Sequence, residues 1–116
     1  MALNNSLYEF NAQTISTTEY SLTNNSTTIA TLATDAIISV WIDCANMVAG
    51  DEFEIVLREQ ATASSTQRSI VLASLVGAQP PMFVTSAFQV GHGWDVTMRR
   101  IAGTDRAFSW SIRAVT

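Results

Sequence analysis

The chain has 116 residues, 47% hydrophobic and 14% charged, enough for one core that buries roughly two thirds of the unfolded surface and too little for two. Ten acids stand against six bases, and every base is arginine, so the counterion-releasing basic patch that a nucleic-acid partner requires is missing; even Arg99 and Arg100 point to opposite faces of a strand. Cys44, the sole cysteine, rules out an intrachain disulfide, and no apolar run approaches the ~18 residues of a membrane span, so neither nucleic acid nor membrane is expected as a partner.

Residues 1–14 are polar and rich in Asn, without the basic stretch and apolar run of a secretory signal, and synthesis in the cytoplasm is the expectation. Leu3, Leu7, Tyr8 and Phe10 are apolar residues set among Asn, Gln and Ser with no clean period. They predict an N-terminal arm over 1–14 that packs on a neighbouring subunit, which leaves 15–116 as a single β-sandwich domain. Ser16 to Leu22 alternates, the Asn24-Asn25 pair supplies a turn, and Thr27 to Leu32 completes a predicted hairpin. Two glycosylation-type triplets start at Asn24 and Asn25, and both read as that turn.

Ala36 to Cys44 is the strongest strand, with Ile38, Val40, Ile42 and Cys44 on one face and Ile37, Ser39, Trp41 and Asp43 on the other. Apolar residues on both faces predict that Ile37 and Trp41 are covered by loops or meet another subunit. Glu52 to Gln60 alternates, with Phe53, Ile55 and Leu57 inward and Val56 the exception, and pairs with Gln67 to Val76 across the polar loop 62–66. Pro80-Pro81 cannot donate ladder hydrogen bonds, so 77–81 is a crossing connection before a strand from Phe83 to Val90. Trp94 to Ile101 and Arg106 to Val115 predict a final hairpin around Gly103-Thr104-Asp105, with Trp94, Val96, Met98, Phe108, Trp110 and Ile112 inward. About eight short strands, no helix-period segment and a Pro-containing crossover give an all-β, two-sheet antiparallel β-sandwich, jelly-roll or immunoglobulin-like.

Chemistry is sparse. His92, the only imidazole, lies between two glycines at a turn, and Cys44 shares the inward phase of its strand, so a Cys-His nucleophile gives way to a buried thiol and a turn histidine. Asp35, Asp43, Asp51, Asp95 and Asp105 fall at strand ends, where Asp favours turns by bonding its own backbone. No loop gathers the oxygens of a calcium site, and neither zinc spacing nor a phosphate loop is present, so no metal, cofactor or catalytic residue is expected and the chain reads as a non-enzyme. Trp94 and Trp110 have core phase, leaving Trp41 as the surface aromatic.

The ordered runs Glu19-Tyr20-Ser21-Leu22-Thr23-Asn24-Asn25-Ser26-Thr27, Gly50-Asp51-Glu52-Phe53-Glu54, His92-Gly93-Trp94-Asp95-Val96-Thr97, Ala102-Gly103-Thr104-Asp105-Arg106 and Trp110-Ser111-Ile112-Arg113 resemble small structural proteins of tailed bacteriophages over about 18–113. The resemblance implies a virion protein that decorates or cements the capsid exterior, partnered by capsid or other virion proteins and by copies of itself as a homo-oligomer. Leu3, Leu7, Tyr8, Phe10, Ile37 and Trp41 are the expected contacts. A carbohydrate-binding module, with Trp41 and strand-end acids touching sugar, is the alternative.

Overall fold

Apolar-polar alternation becomes strand along most of the chain. The computed structural model describes residues 3–115, with side chains from Tyr8 onward. Its strands are β1 (Leu3–Ile15), β2 (Tyr20–Ser21), β3 (Ala36–Asp43), β4 (Glu52–Glu59), β5 (Arg68–Val76), β6 (Met82–Val84), β7 (Phe88–Val90), β8 (Asp95–Ala102) and β9 (Arg106–Val115), with no helix among the described residues.

The pairing is that of one long hairpin rolled into two layers. Antiparallel partners are β1 with β9, β2 with β8, β3 with both β6 and β7, and β4 with β5. Rolling adds the contacts β3–β9 and β4–β8. The sheets therefore run β1-β9-β3-β6, with β7 also on β3, and β2-β8-β4-β5. This nested order is a jelly roll, and it decides against the immunoglobulin arrangement. β6 lies on residues 41–43 of β3 and β7 on residues 36–38, so together they fill one strand position; between them Thr85 exchanges bonds with Val40, each at 3.0 Å.

The core lies between the sheets. Ile38, Val40, Ile42, Phe108, Trp110 and Ile112 of one layer and Phe53, Ile55, Leu75, Val96 and Met98 of the other are buried. Phe53 and Phe108 meet edge-to-face across the layers at 4.8 Å, and Trp110 donates its indole N–H to the Leu22 carbonyl at 2.9 Å, which satisfies the polar end of an otherwise apolar anchor. Val56, the exception in the β4 alternation, keeps its regular register opposite Thr97 of β8 and is buried with it on the outer side of the four-stranded sheet; the bulge beside it places its extra residue, Leu72, in β5.

Three sequence expectations change. First, the segments expected as a final hairpin lie in different sheets: β8 pairs with β2 and β4, β9 with β1 and β3. Their inward residues are as expected, but alternation specifies a face and not a neighbour. The link over Gly103 is an arch between layers, locked by Asp51. The Asp51 carboxylate accepts from Val48 N–H at 3.0 Å, Thr104 N–H at 3.2 Å and Arg106 Nε at 2.8 Å, and the Arg106 bond first, then the backbone donors, hold its pKa down at about 2. Gly103 has φ +89°, and a Cβ there would lie 2.7 Å from the Asp51 Cα and 2.9 Å from the Gly50 carbonyl oxygen, so both conformation and space require glycine.

Second, the hairpin expected over 16–32 shrinks to β2 and a turn closed by Ser21 N–H to Ser26 O at 2.7 Å. Polar side chains bond local backbone instead of leaving it for a ladder: Ser21 Oγ accepts from Asn24 N–H, Ser26 Oγ from Thr28 N–H, and Asn24 Nδ2 donates to the Thr28 carbonyl. Third, the segment expected as an arm over 1–14 forms most of β1, on β9 from Leu3↔Val115 to Ile15↔Arg106. Register shifts and a positive φ of 52° at Ala12 break its period, which hid the strand from a pattern reading.

Candidate interaction surface

Tyr8 and Phe10 pack on their own chain. Tyr8 meets Trp94 edge-on at 6.1 Å and Phe10 lies 5.9 Å from Trp110, so both close one side of the core, and burial raises the Tyr8 phenol's pKa. The side chains of Leu3 and Leu7 lie outside the described residues. Ile37 and Trp41 share the outer face of the five-stranded sheet, separated along β3 by Ser39, as the alternation expected.

Register shows what joins them there. Directly paired residues point to the same side of a sheet. Trp41 faces Val84 on one flank and Ser111 on the other; Asp43 faces Met82 and Ser109; Ile37 faces Val115. Ile37, Met82 and Val84 are 42%, 53% and 46% exposed, so with the half-buried Trp41 they form an apolar strip on water. Arg113, opposite Ser39, lays its guanidinium over the Trp41 ring with Cζ 3.9 Å from the centroid. Its Nε donates to Ser111 Oγ at 3.2 Å, and the indole N–H donates to Ser39 Oγ at 2.9 Å. The two crossed hydrogen bonds fix the stack, a cation on an aromatic face.

This stack is a ridge between two open hollows. One, of about 200 Å³, is lined by Glu9, Asn11, Trp41, Asp43, Ser109 and Arg113, among others. The other, of about 270 Å³, is mainly apolar, with Ile37, Ala87 and Val115 beside the same ridge. Sequence reasoning found Ile37 and Trp41 but missed Met82, Val84 and Arg113. Their phases were readable, but the register that brings three strands together was not.

The outer face of the four-stranded sheet is built differently. Glu19 holds Arg58 through two bonds of 2.7 and 2.6 Å and accepts a third from the Thr97 hydroxyl; the Arg58 bonds lead in drawing the Glu19 pKa down, and Glu19 raises that of Arg58. Glu54 holds Arg99 at 2.9 Å. Asp95 is 0% exposed, accepting from the Thr23 hydroxyl at 2.7 Å, Ala30 N–H at 2.9 Å and Val96 N–H at 2.8 Å. It thereby pins segment 22–34 across the sheet.

Cys44 is buried, and desolvation, then the nearby Asp43 charge, push its thiol up to about 11, far from the thiolate that reactivity requires. His92 is exposed, and its backbone rather than its ring is engaged, with Glu59 Oε1 accepting its N–H at 2.9 Å. Among the described residues no group of three or more His, Cys, Asp or Glu side chains is arranged to hold a metal. No protein-family model, curated protein or solved structure matches this chain.

Proposed function

We propose that the chain is a non-enzymatic structural protein of a bacteriophage virion, which decorates or cements the capsid and associates with copies of itself through the outer face of its five-stranded sheet. The strip Ile37–Trp41–Val84–Met82 carries this reading. An apolar strip with a Trp–Arg pair at its centre has the composition of a protein-contact hot spot. The resemblance over 18–113 supplies the virion context. Jelly rolls also build capsid domains, an analogy of fold that raises the reading without carrying it.

The sheet edges support a contact through the face. β1 has two register shifts, β2 has two residues, β5 is bulged against β4, and the β6–β7 position is broken in the middle. Each is a device that blunts strand addition. The test is light scattering of the purified protein together with co-sedimentation on empty capsids, for the native chain and for Ile37→Asp. The expected result is a defined oligomer or capsid binding, lost in the folded variant; a native monomer that leaves the capsids unbound overturns the proposal. Deleting residues 1–14 is no test of association, because it removes β1 from the sheet.

A further inference from the structure

The polar hollow on the Asp43 side of the Trp41–Arg113 ridge has a composition that a protein contact does not require. Its polar groups are only partly used by the fold. Asp43 accepts from Ala45 N–H through Oδ1 at 3.0 Å, which leaves Oδ2 open. Ser109 Oγ accepts from Ala12 N–H at 3.0 Å, and its hydroxyl proton remains to be donated. Arg113 uses Nε on Ser111, and its two terminal nitrogens have no acceptor among the described residues. The Glu9 carboxylate and the Asn11 side-chain amide likewise have no partner there. The hollow thus offers donors from Arg113, Asn11 and Ser109 and acceptors from Glu9, Asp43 and Asn11, with Trp41, Trp110 and Met82 as its apolar lining.

That mixture selects a ligand class. A simple cation would gain two carboxylates but meet the Arg113 guanidinium; a simple anion would gain the guanidinium and meet both carboxylates. A hydroxyl is donor and acceptor at once, so a neutral ring bearing several hydroxyls satisfies both sets without an unpaired charge. Its C–H face suits the part of the indole that lines the hollow. A volume of about 200 Å³ is below the roughly 300 Å³ at which drug-sized sites begin, which fits one ring and not a chain. We infer that this hollow is a saccharide subsite taking a single neutral pyranose, with Trp41 as the stacking surface, Asp43, Glu9 and Asn11 as hydroxyl partners and Arg113 as donor. The apolar hollow on the other side of the ridge, with Ile37, Ala87 and Val115, remains available for protein contact, while Met82 of the strip borders the sugar hollow.

The test is an NMR titration of the full chain with glucose, galactose, mannose and N-acetylglucosamine in turn, following the Trp41 indole N–H, at low and at high salt. At least one sugar is expected to give a saturable shift that is unchanged by salt. Asp43→Asn keeps an acceptor for Ala45 but loses the charge, and with Asn11→Ala it should weaken binding by about tenfold or more, each variant keeping its circular dichroism spectrum and melting temperature. No saturable shift with any of the four overturns the inference, as does a salt-sensitive response to N-acetyl-arginine amide in place of sugar. Capsid binding by Ile37 and sugar binding by Asp43 are read separately, so either proposal fails without the other.

Discussion

The two outer faces of the sandwich use their charged side chains in opposite ways. On the four-stranded sheet, acids and arginines are matched within the chain: Glu19 with Arg58, Glu54 with Arg99, and Asp95 with three donors of its own. On the five-stranded sheet, Arg113 rests on Trp41, and the acids nearest it, Glu9 and Asp43, have no arginine. The four-stranded face also exposes apolar side chains, Val71 at 46% and Val76 at 63%, beside Val56 and Glu52, but its acid–arginine pairs are largely closed within the chain. The incomplete face keeps groups whose satisfaction must come from outside, and an exposed apolar strip beside them.

The sharpest way to break the contrast is at Asp95. Asp95→Ala leaves the Thr23, Ala30 and Val96 donors without their acceptor beneath a covering segment, and about 3 kcal/mol of stability should be lost in urea denaturation. A loss within 0.5 kcal/mol, about what an ordinary surface change costs, would mean that the closed face is not what holds segment 22–34. Gly103→Ala should follow at roughly 2 kcal/mol, because the new Cβ meets backbone of the Gly50–Asp51 turn in a left-handed conformation. Gly77, also at positive φ but with nothing within 4 Å of an added Cβ, should cost less in the parallel Gly77→Ala measurement.

Acid sharpens the same comparison. The folded Asp51 pKa, at about 2, lies below its ordinary 3.8; its contribution is present above about pH 4 and is lost as pH falls toward 2. Glu19 is shifted in the same direction and adds to the loss below its ordinary 4.5. The melting temperature should therefore fall on acidification through this window, and Asp51→Asn should flatten the fall. The smallest stability effect belongs to the open face. Trp41→Ala removes a half-buried ring and a cation–π contact of about 0.5–1 kcal/mol, and should shift the urea midpoint little while abolishing association. A large stability loss there would turn Trp41 into a structural residue and remove it from both proposals.

How far the molecule was legible depends on what each segment asks of its neighbours. In β3, the alternation of Ile38, Val40 and Ile42 against Ile37 and Trp41 was readable because a strand covered on one face writes its own phase. The hairpin of β4 and β5 was readable because its polar loop joins strands that truly pair. The last two strands misled for the opposite reason: their loop resembles a hairpin turn, but each segment finds its hydrogen-bond partners elsewhere, and their inward residues meet across the layers. Ala12 marks the other failure, since a left-handed residue there, with a further register shift between Asn4 and Tyr8, displaced the alternation of β1 and gave a sheet strand the appearance of an arm. The open face was half visible in the phase of Ile37 and Trp41. Arg113 and Val84 join it only through register, which depends on strands far apart in the chain.

The rolled hairpin also sets a timetable. β4 and β5 are neighbours in sequence and close over a short loop, whereas β1 precedes its only sheet partner, β9, by most of the sandwich and stays without one until β9 has been made, with Leu3 against Val115. Order of synthesis and order of pairing run against each other, so β1 must wait unpaired until β9 emerges, with Tyr8 and Phe10 uncovered. Long-range closure of this kind places refolding in the millisecond-to-second range of non-local β topologies. In pulsed hydrogen exchange, protection should reach the β4–β5 amides first and those of β1 last.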